Sequence, residues 1–158
     1  MDLSHWLWLA TAAYGVHILE EFMLNWRDWA RAVIGLPVEW SDFYVVNALV
    51  VVIGIVSANL AVAAPAIALG FPALMIINAI VFHIVPVIRT GGRFSPGVAS
   101  AVALMLPVAL ACYAAAGRQE ALSVGSVVVS LLIGAGLMAL PIVLLTVKNR
   151  PYFRQDRA

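Results

Sequence analysis

The chain has 158 residues, 64% of them hydrophobic and 11% charged, with a mean hydropathy of +1.02. Soluble domains carry about 25% charged residues, so a soluble enzyme and a disordered chain are both excluded. Nine basic against eight acidic residues leave a net charge of +1, no footprint for nucleic acid, and the single Cys112 rules out an internal disulfide framework.

The expected fold class is all-α, a polytopic membrane helical bundle forming a single domain over residues 1–158. Spans of about 20 apolar residues are needed to cross the hydrocarbon, and the windows fall at about 4–24, 43–63, 66–88, 96–117 and 121–147. The start Met1-Asp2-Leu3-Ser4-His5 lacks the basic n-region of a secretory signal. Trp6 and Trp8 mark one end of the first span, and Trp26, Trp29 and Trp40 flank the loop that follows as an aromatic belt. Within that loop, about 25–42, the Trp26–Arg31 stretch offers a short interfacial helix, although an ordinary anchoring loop is the plainer reading. With five spans and the N-terminus outside, Arg27, Arg31, Arg89, Arg93, Lys148, Arg150, Arg154 and Arg157 lie on the cytoplasmic side and only Arg118 lies outside. The C-terminus is then cytoplasmic, its basic tail touching anionic headgroups, and the plasma (inner) membrane is the expected location.

Two charges do not fit an apolar span. Glu20 and Glu21 lie inside the first one, preceded by His17. At 100° per residue the two carboxylates project about 60° and 40° to either side of His17. All three share a face that continues through Tyr14, Ala13 and Ala10, while Trp8, Leu19 and Phe22 point elsewhere. An ionisable group at the centre of a span costs about 2.5–3.5 kcal/mol even on the lenient scale, so a metal ion, bound protons or arginine partners must compensate. The competing reading sets both glutamates at the headgroup boundary, where long side chains snorkel.

The third span carries Asn78, His83, Pro86 and Arg89. Counted from the cytoplasmic ends at 1.5 Å per residue, His83 and His17 sit at nearly the same depth, and Asn47 reaches a similar level. Taken alone, His83 reads as a hydrogen-bonded packing histidine. Asn78 lies about 140° around the helix from His83, which suits helix–helix contact. The loop Arg89-Thr90-Gly91-Gly92-Arg93-Phe94-Ser95-Pro96-Gly97 ends in a helix-start signal, with Ser95 as cap and Pro96 in the first turn. Two arginines beside a helix N-terminus suggest an anion site; the alternative is a plain loop whose arginines set topology. Spans four and five read as scaffold, the last with a stripe of Ser126, Ser130 and Gly134 for close packing. Cys112 reads as inert packing.

The motif His17-Ile18-Leu19-Glu20-Glu21, with Asn78, His83 and Phe94-Ser95-Pro96-Gly97 downstream, resembles a family of small integral-membrane proteins named for a His-x-x-Glu-Glu motif. That resemblance singles out the same residues and implies no reaction. Phe94 stands where the family is expected to carry Tyr. A looser similarity is to intramembrane glutamate proteases of the prenyl-protein-processing type, which have more spans and an arginine closer to the glutamates.

The leading expectation is a membrane-embedded enzyme acting on a lipophilic substrate in the cytoplasmic half of the bilayer. His17, Glu20, Glu21 and His83 form its reactive centre and ligate a divalent metal, zinc or iron. Tyr14, Asn47, Asn78, Arg89 and Arg93 are the candidates for holding substrate or an anion. A metal-free alternative uses a buried glutamate as proton donor with histidine as its partner, suited to isomerising or cyclising an isoprenoid-like molecule. Transport of protons or metal ions, and a noncatalytic lipid-binding subunit, are the alternatives from other classes. Membrane lipids and a lipophilic small molecule are the expected partners, and a homo-oligomer stays open.

Overall fold

The computed structural model describes residues 1–150 and Tyr152; Arg154 and Arg157 of the basic tail lie outside the described residues. The described chain is helical throughout, with no strand. Its helices are α1 (Leu3–Met23), α2 (Trp26–Val33), α3 (Trp40–Leu60), α4 (Pro65–Arg89), α5 (Val98–Arg118) and α6 (Val124–Lys148). The last four are long and apolar enough to cross a membrane. α1 matches the 21 residues of α3, but its two histidines and two glutamates dilute its hydropathy.

The helix ends follow capping chemistry. Asp2 accepts a hydrogen bond from the His5 amide at 2.9 Å and starts α1. Asn25, in the left-handed region at φ 59°, turns the chain into α2, a conformation that asparagine tolerates. α2 is a true amphipathic helix where a plain loop was the simpler expectation: Trp29 and Ala30 are buried against Val38, which supplies the apolar contact a two-turn helix needs. Glu39 and Asp42 form a reciprocal capping box on α3. Arg31 pairs with Glu39, and Lys148 at the end of α6 reaches Asp42 at 2.7 Å.

α4 and α5 are irregular for identifiable reasons. A proline cannot donate to the carbonyl four residues earlier, and its ring crowds that carbonyl. Pro72 follows the break at Leu69, where α4 is interrupted. Pro86 follows a π-helical turn at Ala79–Ile84, and Pro107 follows another at Ala101–Met105. A π turn widens the helix and opens the crowded carbonyls. His83 sits in the first of these turns.

Packing relies on small residues, as expected where lipid offers no hydrophobic drive between helices. Ser126, Ser130 and Gly134 are all buried. Ser130 Oγ meets the Tyr113 hydroxyl at 2.8 Å, joining α6 to α5. A Cβ at Gly134 would come within 2.7 Å of both the Ala73 side chain and the Leu74 amide nitrogen, whereas one at Gly136 would meet nothing within 4 Å. Gly134→Ala is therefore expected to cost about 1–3 kcal/mol by overpacking. Gly136→Ala should be neutral or gain up to about 1 kcal/mol of helix propensity. Thermal unfolding of the two variants in one detergent tests the contrast, and equal melting temperatures would contradict the close α4–α6 approach.

Candidate metal centre

α1 and α4 bring His17, Glu21 and His83 together in the interior. The two imidazoles are fully buried and Glu21 is 4% exposed. His17 Nε2 lies 3.5 Å from Glu21 Oε1, and His83 Nε2 lies 3.4 Å from the same oxygen. The rings meet edge to face at 4.7 Å between centroids. One ligand atom from each of the three residues falls within 4.8 Å of the others.

The opposite ring nitrogens decide which atoms carry hydrogens. His17 Nδ1 is 3.0 Å from Ser100 Oγ. The Ser100 hydroxyl has two acceptors for its hydrogen, a Glu20 carboxylate oxygen in a short contact and the Gly97 carbonyl at 3.2 Å. Ser100 Oγ is left to accept from His17, so Nδ1 carries the proton and Nε2 presents a lone pair. His83 Nδ1 is likewise 3.2 Å from Ser95 Oγ, and Ser95 faces the Phe82 carbonyl at 3.5 Å. That carbonyl is the one Pro86 cannot serve and is an acceptor for the serine hydrogen; with the hydrogen placed there, His83 donates through Nδ1 and turns a lone pair inward. Neither Nε2 has a hydrogen-bond partner.

With these tautomers three buried acceptors converge with no donor between them, an arrangement that a cation stabilises and that is otherwise repulsive. Zinc bonds of about 2.0–2.2 Å at tetrahedral angles separate neighbouring ligand atoms by about 3.4 Å, and the two His–Glu separations match this. Each histidine is also oriented through its other nitrogen, as metal-bound histidines commonly are. The donor set therefore fits a divalent metal. Arginine compensation is absent among the described residues: Arg27 and Arg31 pair with Asp28 and Glu39, and Arg89 and Arg93 are exposed.

Glu20 stands apart from this cluster. Its carboxylate accepts from the amides of Gly97 at 3.1 Å, Ala99 at 3.2 Å and Ser100 at 2.7 Å. It caps α5 from another helix. The predicted Ser95–Pro96 start is displaced: α5 begins at Val98, with Gly97 preceding it at φ 95°. A Cβ on Gly97 would lie 2.6 Å from the His83 ring, 2.7 Å from the His17 ring and 3.0 Å from Glu21, so this glycine closes the cluster from above. The helix N-terminus read as an anion site already holds an anion, and it is Glu20. Arg89 and Arg93 do not join it.

The remaining candidates surround a cavity of about 510 Å³ bounded by Tyr14, Glu21, Asn47, Asn78 and the C-terminal half of α6. The Tyr14 hydroxyl donates to Asn47 Oδ1 at 3.3 Å. Asn78 borders the cavity, is 7% exposed, and keeps its Oδ1 buried without a hydrogen-bond partner. Two residues were missed by reading the sequence. Ser100 has no role in any motif considered there, and Ser95 was assigned to a cap; the available signal was two serines five apart at the start of an apolar segment.

A family model for proteins of unknown function with an HXXEE motif matches residues 8–112. The chain belongs to this family. No curated protein and no solved structure matches it. The matched region of this HXXEE protein contains His17, Glu20, Glu21, His83, Ser95 and Ser100, and stops short of α6, which walls the cavity.

The geometry separates the two glutamates of the HXXEE motif in a measurable way. Glu20→Ala removes a cap shared by three amides and should cost about 1–2 kcal/mol, the upper range for a lost cap. Glu20→Gln keeps an acceptor oxygen and should lose less. Thermal unfolding checks the order Glu20, Gln, Ala, and an unchanged melting temperature in Glu20→Ala would refute the capping role.

Proposed function

We propose that this HXXEE protein is a five-span membrane protein of the plasma (inner) membrane that holds a divalent metal at His17, Glu21 and His83 and acts on a lipophilic substrate. The observation that carries this reading is the convergence of two partnerless, fully buried imidazole nitrogens on one buried carboxylate. Two histidines and a carboxylate suit zinc or iron(II), which keeps positions open for exchangeable ligands and polarises what binds there. The chain's own residues do the rest. Ser100, held by Glu20, and Ser95 fix the histidine tautomers, the apolar bundle restricts water, and Glu21 faces the cavity where a substrate gains access.

Elemental analysis of purified protein is the direct test. Wild type should carry stoichiometric zinc or iron, His17→Ala and His83→Ala should lose it, and Ser100→Ala should bind it about 10–100-fold more weakly through loss of the orienting contact. Metal that is absent from wild type, or unchanged in both histidine variants, overturns the reading.

The basic residues support an N-terminus outside and a cytoplasmic C-terminus, with α1 as the fifth span. In a Cys112→Ser background, Gln119→Cys should react with a membrane-impermeant maleimide on intact cells and Gly92→Cys only after permeabilisation. The reverse pattern inverts the orientation, and labelling of both from outside removes one span.

A further inference from the structure

We infer that the cavity beside Glu21 is a binding site for an uncharged lipophilic alcohol, a molecule with one apolar body and a single hydroxyl head. At about 510 Å³ the cavity falls in the size range of small-molecule sites. Its long wall comes from the Met138–Lys148 part of α6, which rises about 15 Å from end to end, and from apolar side chains of α3 and α4 such as Val46 and Phe82. An apolar body fits this wall and a polar chain does not.

Besides Ser41 and the Asp42–Lys148 pair, the wall carries uncharged polar groups from three helices, Tyr14 of α1, Asn47 of α3 and Asn78 of α4. Asn78 is 7% exposed and makes no hydrogen bond to another described side chain, and its buried Oδ1 is partnerless. The Asn78 amide nitrogen is not among the fully buried atoms and has no partner among the described residues, and a hydroxyl oxygen can accept from it. Beside it, the Tyr14 hydroxyl spends its hydrogen on Asn47 Oδ1, leaving the tyrosine lone pairs and the Asn47 amide hydrogens for the same head. A hydrocarbon without a head leaves Asn78 orphaned.

The charges argue for neutrality. Among the described residues Lys148 is the one basic residue lining the cavity, and it is bound to Asp42 at 2.7 Å. Asp42 in turn accepts from the Glu39 amide at 3.0 Å as part of the α3 cap. An anionic head therefore finds no unpaired cation on the wall. Of the two acids on the described wall, Asp42 is paired with Lys148 and Glu21 directs its Oε1 at the two imidazoles. Arg89 and Arg93 do not line this cavity.

This site deepens the metal-dependent reading, resting on it for what happens to the alcohol and not for its binding. The test uses full-length protein in nanodiscs and a hexadecanol analogue with a diazirine in its chain. Photolabelling should map to peptides containing Phe82 and Leu145. Unlabelled hexadecanol should compete at concentrations about tenfold below those of hexadecanoate or hexadecylamine, because a site built for a hydroxyl disfavours heads it cannot satisfy. Asn78→Leu should reduce labelling about tenfold while metal content stays stoichiometric. Ile142→Trp, which fills the cavity from a 54% exposed position, should abolish it and serves where Asn78→Leu fails to fold. Equal competition by all three heads, label confined to peptides away from the cavity, or labelling unchanged in both variants overturns the proposal. Alcohol-selective labelling of a wild type that holds no metal leaves this site standing and removes the metal reading; stoichiometric metal without alcohol preference does the opposite.

Discussion

The Glu20 carboxylate on the amides of Gly97, Ala99 and Ser100 is the contact on which the rest of the interior depends. The first amides of a helix have no acceptor within it, and each costs free energy unless water or another group supplies one. Glu20 supplies one from α1, and its negative charge sits favourably at the positive end of α5. Meeting that requirement sets the position of α5. Ser100 then lies against His17, and Gly97 lies over both imidazoles with no room for a side chain. A local cap of Ser95 on its own helix would have met fewer amides and left Ser95 unable to reach His83.

A second constraint acts on α4. Pro86 withdraws a hydrogen from the Phe82 carbonyl, the preceding turn widens, and His83 is carried on that turn. The freed carbonyl is an acceptor within reach of the Ser95 hydroxyl, which in turn contacts His83 Nδ1 and leaves Nε2 toward Glu21. In a straight α-helix Asn78 and His83 would be about 140° apart. A turn bonded from residue i to i+5 brings residues five apart closer to one face, so Asn78 borders the cavity that Glu21 also faces. The irregularity thus joins the ligand cluster to the space beside it.

These two effects mark the boundary of what was legible in the sequence. Apolar windows, capping residues and helical periodicity are local properties, and they located the long helices, the shared face of Tyr14, His17 and Glu21, and the common depth of His17 and His83. They placed Glu20 and Glu21 together because 100° of rotation keeps both near His17. Which neighbour each carboxylate meets depends on where α5 begins, a tertiary matter that no spacing within α1 encodes. The 140° between Asn78 and His83 holds only for a regular helix, and the segment that joins them contains a π-helical turn ahead of Pro86. Ser100 was invisible for the same reason as the role of Glu20: its importance exists only once α1 and α5 are side by side.

The distribution of the other polar side chains bears on whether the buried cluster belongs to a conduit or to a chemical site. A relay across the bundle needs groups that exchange hydrogen bonds with one another from end to end. Toward the N-terminal end of α1 three polar side chains are instead spent on backbone carbonyls. Ser4 donates to Ala58 at 3.0 Å, Thr11 to Leu7 at 2.9 Å and Asn59 to Ile55 at 2.8 Å. Between these and His17 the α1 face is lined by Ala10 and Ala13, both buried, and Gly54 of α3 packs against Thr11 and Phe71. The ionisable groups therefore form a pocket closed on one side and open toward the cavity at Glu21 on the other. A dead end with one approach suits a site that receives a molecule and returns it to the same face of the bundle, and it opposes passage of an ion from one side to the other.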